Sequence, residues 1–303
     1  MNLADTLRAA TSIAQVLEHE LMARHTTMRV GGPAEILFSP ASEGELLFAV
    51  REAKRAGAPF RIIGNGSNLL VLDGGLPGLT IRLGEAFSKI SVDGNQIRAQ
   101  AGALLSRVAA AARDASLTGL EFASGIPGSA GGGMAMNAGA YGGQLSDVFE
   151  GCRALDPETG IISALGPAEM ALGYRESAAL SRGLIVTEAA FRLTAGDRSA
   201  IQAKMDDLSA RRREKQPLNL PSAGSTFKRP EGHFAGALIE QAGLKGLRVG
   251  GACVSEKHAG FVVNDRNATA RDVLDLIRLV QARVLEHSGV RLETEVRILG
   301  EDA

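Results

Sequence analysis

Between Gly125 and Gly139 the chain reads Gly-Ile-Pro-Gly-Ser-Ala-Gly-Gly-Gly-Met-Ala-Met-Asn-Ala-Gly, and few folds can use so many glycines beside Ile126, Met134 and Met136. Glycine loses more conformational freedom on folding than any other residue. A cluster of it makes sense where the backbone itself must come close to something, at φ values that other residues avoid. A phosphate or a flat ring approached by bare amides is one such partner. A flexible linker is the alternative, but linkers are rich in Gly and Ser and poor in large apolar side chains. This run instead alternates glycine with core-type residues and continues into Ala140-Tyr141-Gly142-Gly143. The bias extends along the chain, since 37 of its 303 residues are glycine, against a usual share of about 7%.

A chain of this length exceeds a single ordinary core, so two or three lobes that could enclose a ligand are expected. The 33 basic and 34 acidic residues nearly cancel. That balance argues against a polyanion-binding surface, which needs many phosphate-neutralising cations, although a local basic pocket is compatible with it. Only Cys152 and Cys253 occur, far apart and without a CxxC or histidine partner pattern, so two buried thiols are expected rather than a disulfide framework or a zinc site. The first thirty residues lack a basic start followed by an apolar core, and no later run approaches the roughly 18 apolar residues of a membrane span. A soluble, cytoplasmic protein is the expectation.

The apolar spacing of Leu3, Leu7, Ala10, Ile13, Ala14 and Leu17 predicts a helix over Leu3 to Leu21. A strand at Ala34 to Phe38, a helix over Glu43 to Ala56 stopped by Gly57, and a strand at Phe60 to Ile63 follow. Further strands are read at Leu79 to Leu83, Gln96 to Ala99, Cys152 to Leu155 and Leu184 to Leu193, with an alanine-rich helix from Leu104 to Ala115. A charged helix from Ser199 to Lys215 carries Arg211-Arg212-Arg213, read as a solvated face. Beyond Gln216 come a helix around Leu238, a strand at Gly260 to Asn264, a helix at Ala270 to His287 and a last strand from Leu292 to Leu299. The expected lobes are residues 1–57, 58–196 and 197–303.

Gly64-Asn65-Gly66-Ser67-Asn68 follows an apolar strand, and its amides could face an anion. A hairpin turn explains the same residues, since Asn-Gly is a common hairpin signal. Neither GxGxxG after a strand nor GxxxxGK[ST] is present, which disfavours a Rossmann dehydrogenase or a P-loop nucleotidase.

Taken in order, HTTMRVGGPA, GNGSNLLV, GIPGSAGGGMAMNAGAYGG, LGYRES, PSAGSTFKRP, LIEQAGLKGLRVGGACVSEKHAGFVVN and LETEVRILG span nearly the whole chain. This ordered set resembles the UDP-N-acetylenolpyruvoylglucosamine reductase family. The resemblance implies an α+β flavoenzyme whose FAD-binding fold is of the vanillyl-alcohol-oxidase (PCMH) type, with FAD between the first two lobes and a separate C-terminal α/β substrate-binding domain. The implied reaction is NADPH-dependent reduction of UDP-N-acetylglucosamine enolpyruvate to UDP-N-acetylmuramate, for peptidoglycan. No side chain can supply a hydride, so a flavin recharged by NADPH would have to.

By the same resemblance, FAD would be lined by Arg29, Val30 and Gly31, by Gly64, Asn65, Gly66, Ser67, Asn68 and Leu69, and by Gly125, Ile126, Pro127, Gly128, Ser129, Gly132, Gly133, Asn137, Ala138 and Gly139. Arg175 corresponds to the arginine that can hold a planar carboxylate through a bidentate fork. Glu295 corresponds to the glutamate that helps hold the enolic charge, and would donate a hydrogen bond if protonated. Ser225 corresponds to the serine that returns a proton to carbon after hydride transfer. Substrate diphosphate and uridine would meet Lys228, Tyr174 and His258, with Arg229 a further phosphate contact. Outside these motifs, Arg175 reads as a surface arginine, Glu295 as a strand-edge ion-pair partner, Ser225 as a turn serine and His258 as a structural histidine.

Three positions depart from the family pattern: Arg229 stands where asparagine is frequent, Thr294 where proline is, and Met28 where phenylalanine is. Between Ser177 and Leu184 there is no room for the tyrosine-bearing insertion of the longer subtype, so the shorter subtype is expected. Two rival readings are an oxidase of the same flavin fold, which would not need the Ser225 and Glu295 pair, and a non-catalytic sensor, which would not need the trio at all.

Overall fold

The computed structural model describes residues 2–12 and 15–302. They form two compact units, each assembled from separated stretches of chain. One comprises the residues up to Glu18, Ile36–Asn65 and Gly78–Arg212; the other comprises His19–Glu35, Gly66–Pro77 and the chain from Arg213 onward.

The first unit holds two apolar cores. In one, the helix Glu43–Arg55 buries Leu46, Ala49, Val50 and Ala53, spaced as one face of a 3.6-residue period. Ser42 caps the helix by accepting a hydrogen bond from Glu45 N, and Gly57 at φ +64° turns the chain away at its end. Phe38, Leu79 and Ile81 complete this core with Leu7 of the helix Leu3–Ala10. They come from a four-stranded sheet in the order Val16–Leu21, Pro33–Phe38, Leu76–Arg82, Phe60–Ile63, in which the last two strands are parallel.

The second core lies on a five-stranded antiparallel sheet, in the order Ile161–Leu165, Phe149–Asp156, Ile185–Arg192, Gln96–Gln100, Ile90–Asp93. Val108 and Ala112 of the helix Leu105–Asp114 pack there, with Met134 of the short helix Ala130–Ala135 and Ile201 and Met205 of the helix Arg198–Lys215. From Ser177 the chain reaches the strand at Ile185 through a one-turn helix, Ala178–Ser181, and Gly183 at φ +66°. No inserted segment interrupts that passage.

The second unit is built around the helix Ala270–Ser288, which buries Val273, Leu276, Ile277, Val280 and Val284 on one face. Thr269 and Asp272 cap it reciprocally, and Asp73 accepts hydrogen bonds from Ala270 N and Arg271 N, both at 2.9 Å. A three-stranded antiparallel sheet, Arg248–Val249, Ala252–Val254 and Val262–Asn264, contributes Ala252, Val254 and Val262 to the same core, beside Leu238 and Ile239 of the helix Ala235–Gln241. Met28, Val30, Leu70 and Leu72 belong to this core as well. The expected lobe boundaries, drawn along the chain, therefore do not follow the packing: two loops from the first quarter of the sequence are interior to the C-terminal core.

Most expected elements appear within a residue or two of their predicted ends. The N-terminal helix is the main correction. It stops at Ala10 with Thr11 extended, and Val16–Leu21 is a strand. Ile13 and Ala14 of the predicted apolar face lie outside the described residues. Pairing overrides the helical period here: Ser39 N donates to Gln15 O and Gln15 Nε2 to Ser39 O, which draws the chain alongside Pro33–Phe38. The last strand is also shorter than expected, Arg297–Leu299, with only a single bridge between Thr294 and Phe227 before it. Both cysteines are buried, and burial pushes the Cys152 thiol up to about 11.

Glu43 ties the two cores of the first unit together. Its carboxylate accepts from Arg153 Nε and Nη2 at 3.1 and 2.7 Å and from the hydroxyl of fully buried Thr187 at 2.6 Å. The Arg153 bonds, with help from Thr187, hold the carboxyl below its ordinary 4.5 despite burial. The stabilisation is thus complete above that value and fades as pH falls through the lower folded-state value. With Arg153 half exposed to solvent, Glu43→Gln should cost about 1 kcal/mol at neutral pH. Urea unfolding should show the two proteins converging in acid, once Glu43 is protonated in the folded state as well; a difference that persists there would place the effect in packing instead.

Candidate functional site

Within the first unit the glycine-rich segment is folded tightly against its own chain. Ala130 N and Gly131 N donate to the carbonyls of Ala103 and Ala101 at 2.7 and 2.9 Å. A Cβ on Gly131 would come within 2.7 Å of Ala101 Cβ, and one on Gly143 within 2.7 Å of the Phe122 ring. Several glycines read as ligand-facing are thus required by self-packing. Gly132 is different, since it is exposed and meets nothing closer than Ser129 Oγ at 3.6 Å.

Ser129 precedes the short helix Ala130–Ala135 but makes no side-chain cap bond. Its Oγ is buried with no hydrogen-bond partner among the described residues. Leaving a hydroxyl so costs roughly 1–3 kcal/mol, and such groups are retained where something else supplies the partner. Gly64 lies against it: a Cβ there would come within 2.4 Å of Ser129 Oγ. Asn65 Nδ2 donates to Pro127 O at 2.5 Å, fastening the Gly64-Asn65 turn to the Pro127–Ser129 stretch. Glycine walls around an unsatisfied hydroxyl suit a phosphate or ring oxygen, so these residues fit FAD. Ile126 is half-buried against the apolar core, and Gly125, Pro127 and Gly132 are open to solvent.

Asn137 binds within the chain through its side chain. Its side chain is 3% exposed and fully employed: Nδ2 donates to Gln144 Oε1, Ser146 Oγ and Gly173 O at 3.3, 3.2 and 3.1 Å, and Oδ1 accepts from Ser146 N at 3.0 Å. The bond to Gly173 draws in the turn that carries Tyr174 and Arg175, and Ser177 Oγ, donating to Ala135 O at 2.7 Å, fixes its other side. Within that turn Gly173 and Glu176 are bridged. The Arg175 guanidinium lies over the Tyr174 ring at 5.2 Å from its centroid. Ala138 and Gly139 lead into a hairpin, Gly139–Ala140 with Gly143–Gln144, whose turn residues Tyr141 and Gly142 both have positive φ, +53° and +86°.

Left-handed backbone at non-glycine residues is uncommon and costs free energy. Among the described residues it occurs at Arg29, Asn137, Tyr141 and Arg175 within the segments singled out from sequence, and at four positions elsewhere.

The second unit gathers the other motif residues. Thr26 Oγ1 donates to Val30 O at 3.0 Å around Arg29 at φ +56°, making a tight turn with the Arg29 side chain exposed. Thr27 N donates to Gly66 O at 3.2 Å, and Thr27 Oγ1 to Ser222 O at 2.6 Å. Gly66 at φ +66° and Gly31 at φ +125° allow these approaches, since a Cβ would lie 2.0 Å from His25 O and 2.8 Å from Val71 Cβ. After half-buried Ser67, Asn68 Nδ2 donates to Glu295 O at 3.1 Å, and Leu69–Val71 runs parallel to Arg297–Leu299. Glu295 N in turn donates to Thr226 O at 2.8 Å. Ser225, exposed, directly precedes the residue whose backbone thus holds half-buried Glu295. Thr226 anchors the pair: it is 2% exposed, its N–H donates to Gly260 O, and its Oγ1 accepts from Val262 N at 3.0 Å.

The expected substrate contacts have local partners of their own. Lys228 Nζ pairs with Glu293 at 3.2 Å, and the Arg229 guanidinium lies 3.9 Å over the ring of exposed Phe234. His258 Nδ1 accepts from Gly260 N at 3.1 Å and its ring packs edge-on against Phe261, while burial holds its pKa below 6.5. These contacts match its structural reading. The sequence reading passed over Thr26, Thr27, Thr226 and Ser177; their only signal was a hydroxyl beside a glycine-rich or apolar run.

Among the described residues no cluster of His, Cys, Asp or Glu could hold a metal ion, and no helix is long and apolar enough to cross a membrane.

Residues 34–165 match the model of an FAD binding domain, and residues 216–299 match that of the UDP-N-acetylenolpyruvoylglucosamine reductase C-terminal domain. The chain is 53% identical over 281 residues to the UDP-N-acetylenolpyruvoylglucosamine reductase of Clostridium beijerinckii, spanning 93% of this chain and 92% of the relative. It is 48% identical to that of Alkaliphilus oremlandii, spanning 98% of this chain and all of the relative. The crystal structure of the Thermus caldophilus reductase superposes with a TM-score of 0.81 at 38% identity, over 93% of this chain and 98% of that one. With its FAD-binding domain, C-terminal domain and full-length relatives in agreement, the chain belongs to the UDP-N-acetylenolpyruvoylglucosamine reductase family of flavin-dependent oxidoreductases.

Proposed function

We propose that the protein reduces UDP-N-acetylglucosamine enolpyruvate to UDP-N-acetylmuramate in the cytoplasm, with NADPH as the hydride source, as a step toward peptidoglycan. FAD, when bound, supplies the hydride chemistry that no side chain can. Gly64, Asn65 and Ser129 would hold it, the Ser129 hydroxyl gaining the hydrogen-bond partner it lacks among the described residues. The residues of the chain then have three tasks: to bind the enolpyruvyl carboxylate, to stabilise the charge that develops when its double bond accepts hydride, and to return a proton to the neighbouring carbon.

Arg175 carries out the first with a delocalised cation suited to a planar carboxylate. Glu295 shares the second, its carboxyl group beside the charge that accumulates on that carboxylate. Ser225 performs the third, and a weak acid can do so only if tightly positioned. The observation that supports this reading is the backbone hydrogen bond from Glu295 N to Thr226 O, which sets Glu295 against the residue that follows Ser225. Strain supports the assignment of Arg175, whose φ of +59° is maintained by the Asn137 and Ser177 anchors on either side of its turn. Lys228 and Arg229 are assigned to substrate phosphate, Lys228 exchanging the exposed Glu293 for it, with Tyr174 and His258 beside the nucleotide.

In Ser225→Ala, NADPH should still bleach the flavin, while reoxidation by the enolpyruvyl substrate slows about 10²-fold or more. Stopped-flow absorbance separates the two halves, and an unaltered reoxidation rate would remove Ser225 from the role. Arg175→Ala and Glu295→Gln should each lower turnover by about 10²-fold, the loss typical of a donor aimed at developing charge. Should either variant raise KM and leave kcat untouched, its contribution is to binding alone.

A further inference from the structure

Arg212 was read from sequence as part of a solvated Arg211-Arg212-Arg213 run, yet its surroundings set it apart. On the helix Arg198–Lys215 the inward-facing positions are Ile201 and Met205, both buried, then half-buried Leu208 and Ser209. Arg212 continues that stripe at helical spacing, where an apolar side chain would ordinarily stand. Its neighbour Arg211 is exposed and paired with Asp207 at 2.8 Å. Arg212 is half-buried and, among the described residues, has neither an ion pair nor a hydrogen-bond partner.

Its aliphatic stem packs on the first glycine of the rich segment: a Cβ on Gly125 would lie 3.1 Å from Arg212 Cδ and 3.7 Å from Nη1. A side chain at 125 would therefore push the guanidinium away. Tyr141, from the hairpin at the other end of the same segment, lies near enough to interact with it electrostatically. A partly desolvated guanidinium without a counter-charge is costly, and burial depresses its pKa accordingly. Arginine, which binds phosphate and carboxylate through a planar fork, gains most from such a position when an anion arrives from outside.

We propose that Arg212 is an anion-holding residue at the mouth of the glycine-rich segment, and that its missing counter-charge is a phosphate or carboxylate oxygen of a bound nucleotide ligand. The inference rests on the flavin-reductase reading above. It deepens that reading by adding a cation to the residues the motifs supply. Three sources carry the same chemistry: FAD, NADPH and the enolpyruvyl nucleotide. Glycine at 125 is then explained by the guanidinium it accommodates.

The test uses Arg212→Met, which keeps the length and removes the charge, and Arg212→Lys, which keeps a charge without the fork. Apoprotein of each is titrated with FAD by fluorescence quenching. The holoproteins are titrated with the enolpyruvyl substrate through the flavin spectrum and with NADPH through the rate of flavin bleaching. Arg212→Met should melt no lower than the parent as apoprotein, because it removes an unpaired charge. Its affinity for one of the three ligands should fall at least about tenfold, the loss expected for a charge-assisted contact, and Arg212→Lys should recover part of it. Three unchanged affinities would overturn the proposal, as would an Arg212→Met apoprotein that melts several degrees lower with all three affinities reduced alike, since that marks a structural role. A parent protein that takes up no FAD would instead overturn the reductase reading and is seen before either variant is made.

Discussion

One parallel strand pair, Leu69–Val71 beside Arg297–Leu299, fixes the position of the motif residues Thr226 and Glu295 in the second unit. It joins a loop from the first quarter of the chain to the C-terminal end, and the Asn68 side chain reinforces it by donating to Glu295 O. Glu295 N is thereby free to bond Thr226 O, and Thr226 is itself locked to Gly260 and Val262. Parallel pairing across such a separation has a large loop-closure cost. Buried Leu70, Val71 and Leu72 offset it from the apolar side of the same segment. An alanine at Asn68 would leave the pairing but lose the side-chain bond to Glu295 O, two residues before the strand Arg297–Leu299.

The glycine-rich segment meets two demands with one composition. Gly131, Gly139 and Gly143 are needed because the chain packs on itself more closely than a Cβ allows. Gly64 and Gly132 border the unsatisfied Ser129 hydroxyl, and Gly125 makes room for Arg212. The strained residues Asn137, Tyr141 and Arg175 lie in the turns next to this segment. Rigid self-packing holds such strain in place, and a site held this way is organised before its ligands arrive.

Much of this was legible in the sequence. The helix expected over Glu43 to Ala56 with a stop at Gly57 is found at Glu43–Arg55, with Gly57 in the left-handed region after it. The strand Phe60–Ile63 was read to the residue. Local signals of this kind survive folding because they act within a few residues. Where a distant partner decides the outcome, the reading failed: the apolar period through Leu17 suggested helix, but pairing with Ser39 made a strand. The same limit applies to Arg212, whose triple-arginine context speaks for solvent while its helical phase points inward. Sequence separation hid these contacts, and only the geometry of the folded chain brings them out.

The central claim is that the glycine-walled segments hold a flavin that passes electrons from NADPH to an enolpyruvyl nucleotide. An anaerobic titration of the purified protein tests it most directly. The account predicts a bound FAD spectrum that bleaches on adding NADPH and returns, without oxygen, on adding UDP-N-acetylglucosamine enolpyruvate. A reduced flavin that ignores that substrate and recovers only when oxygen is admitted would contradict the account and mark the protein as an oxidase.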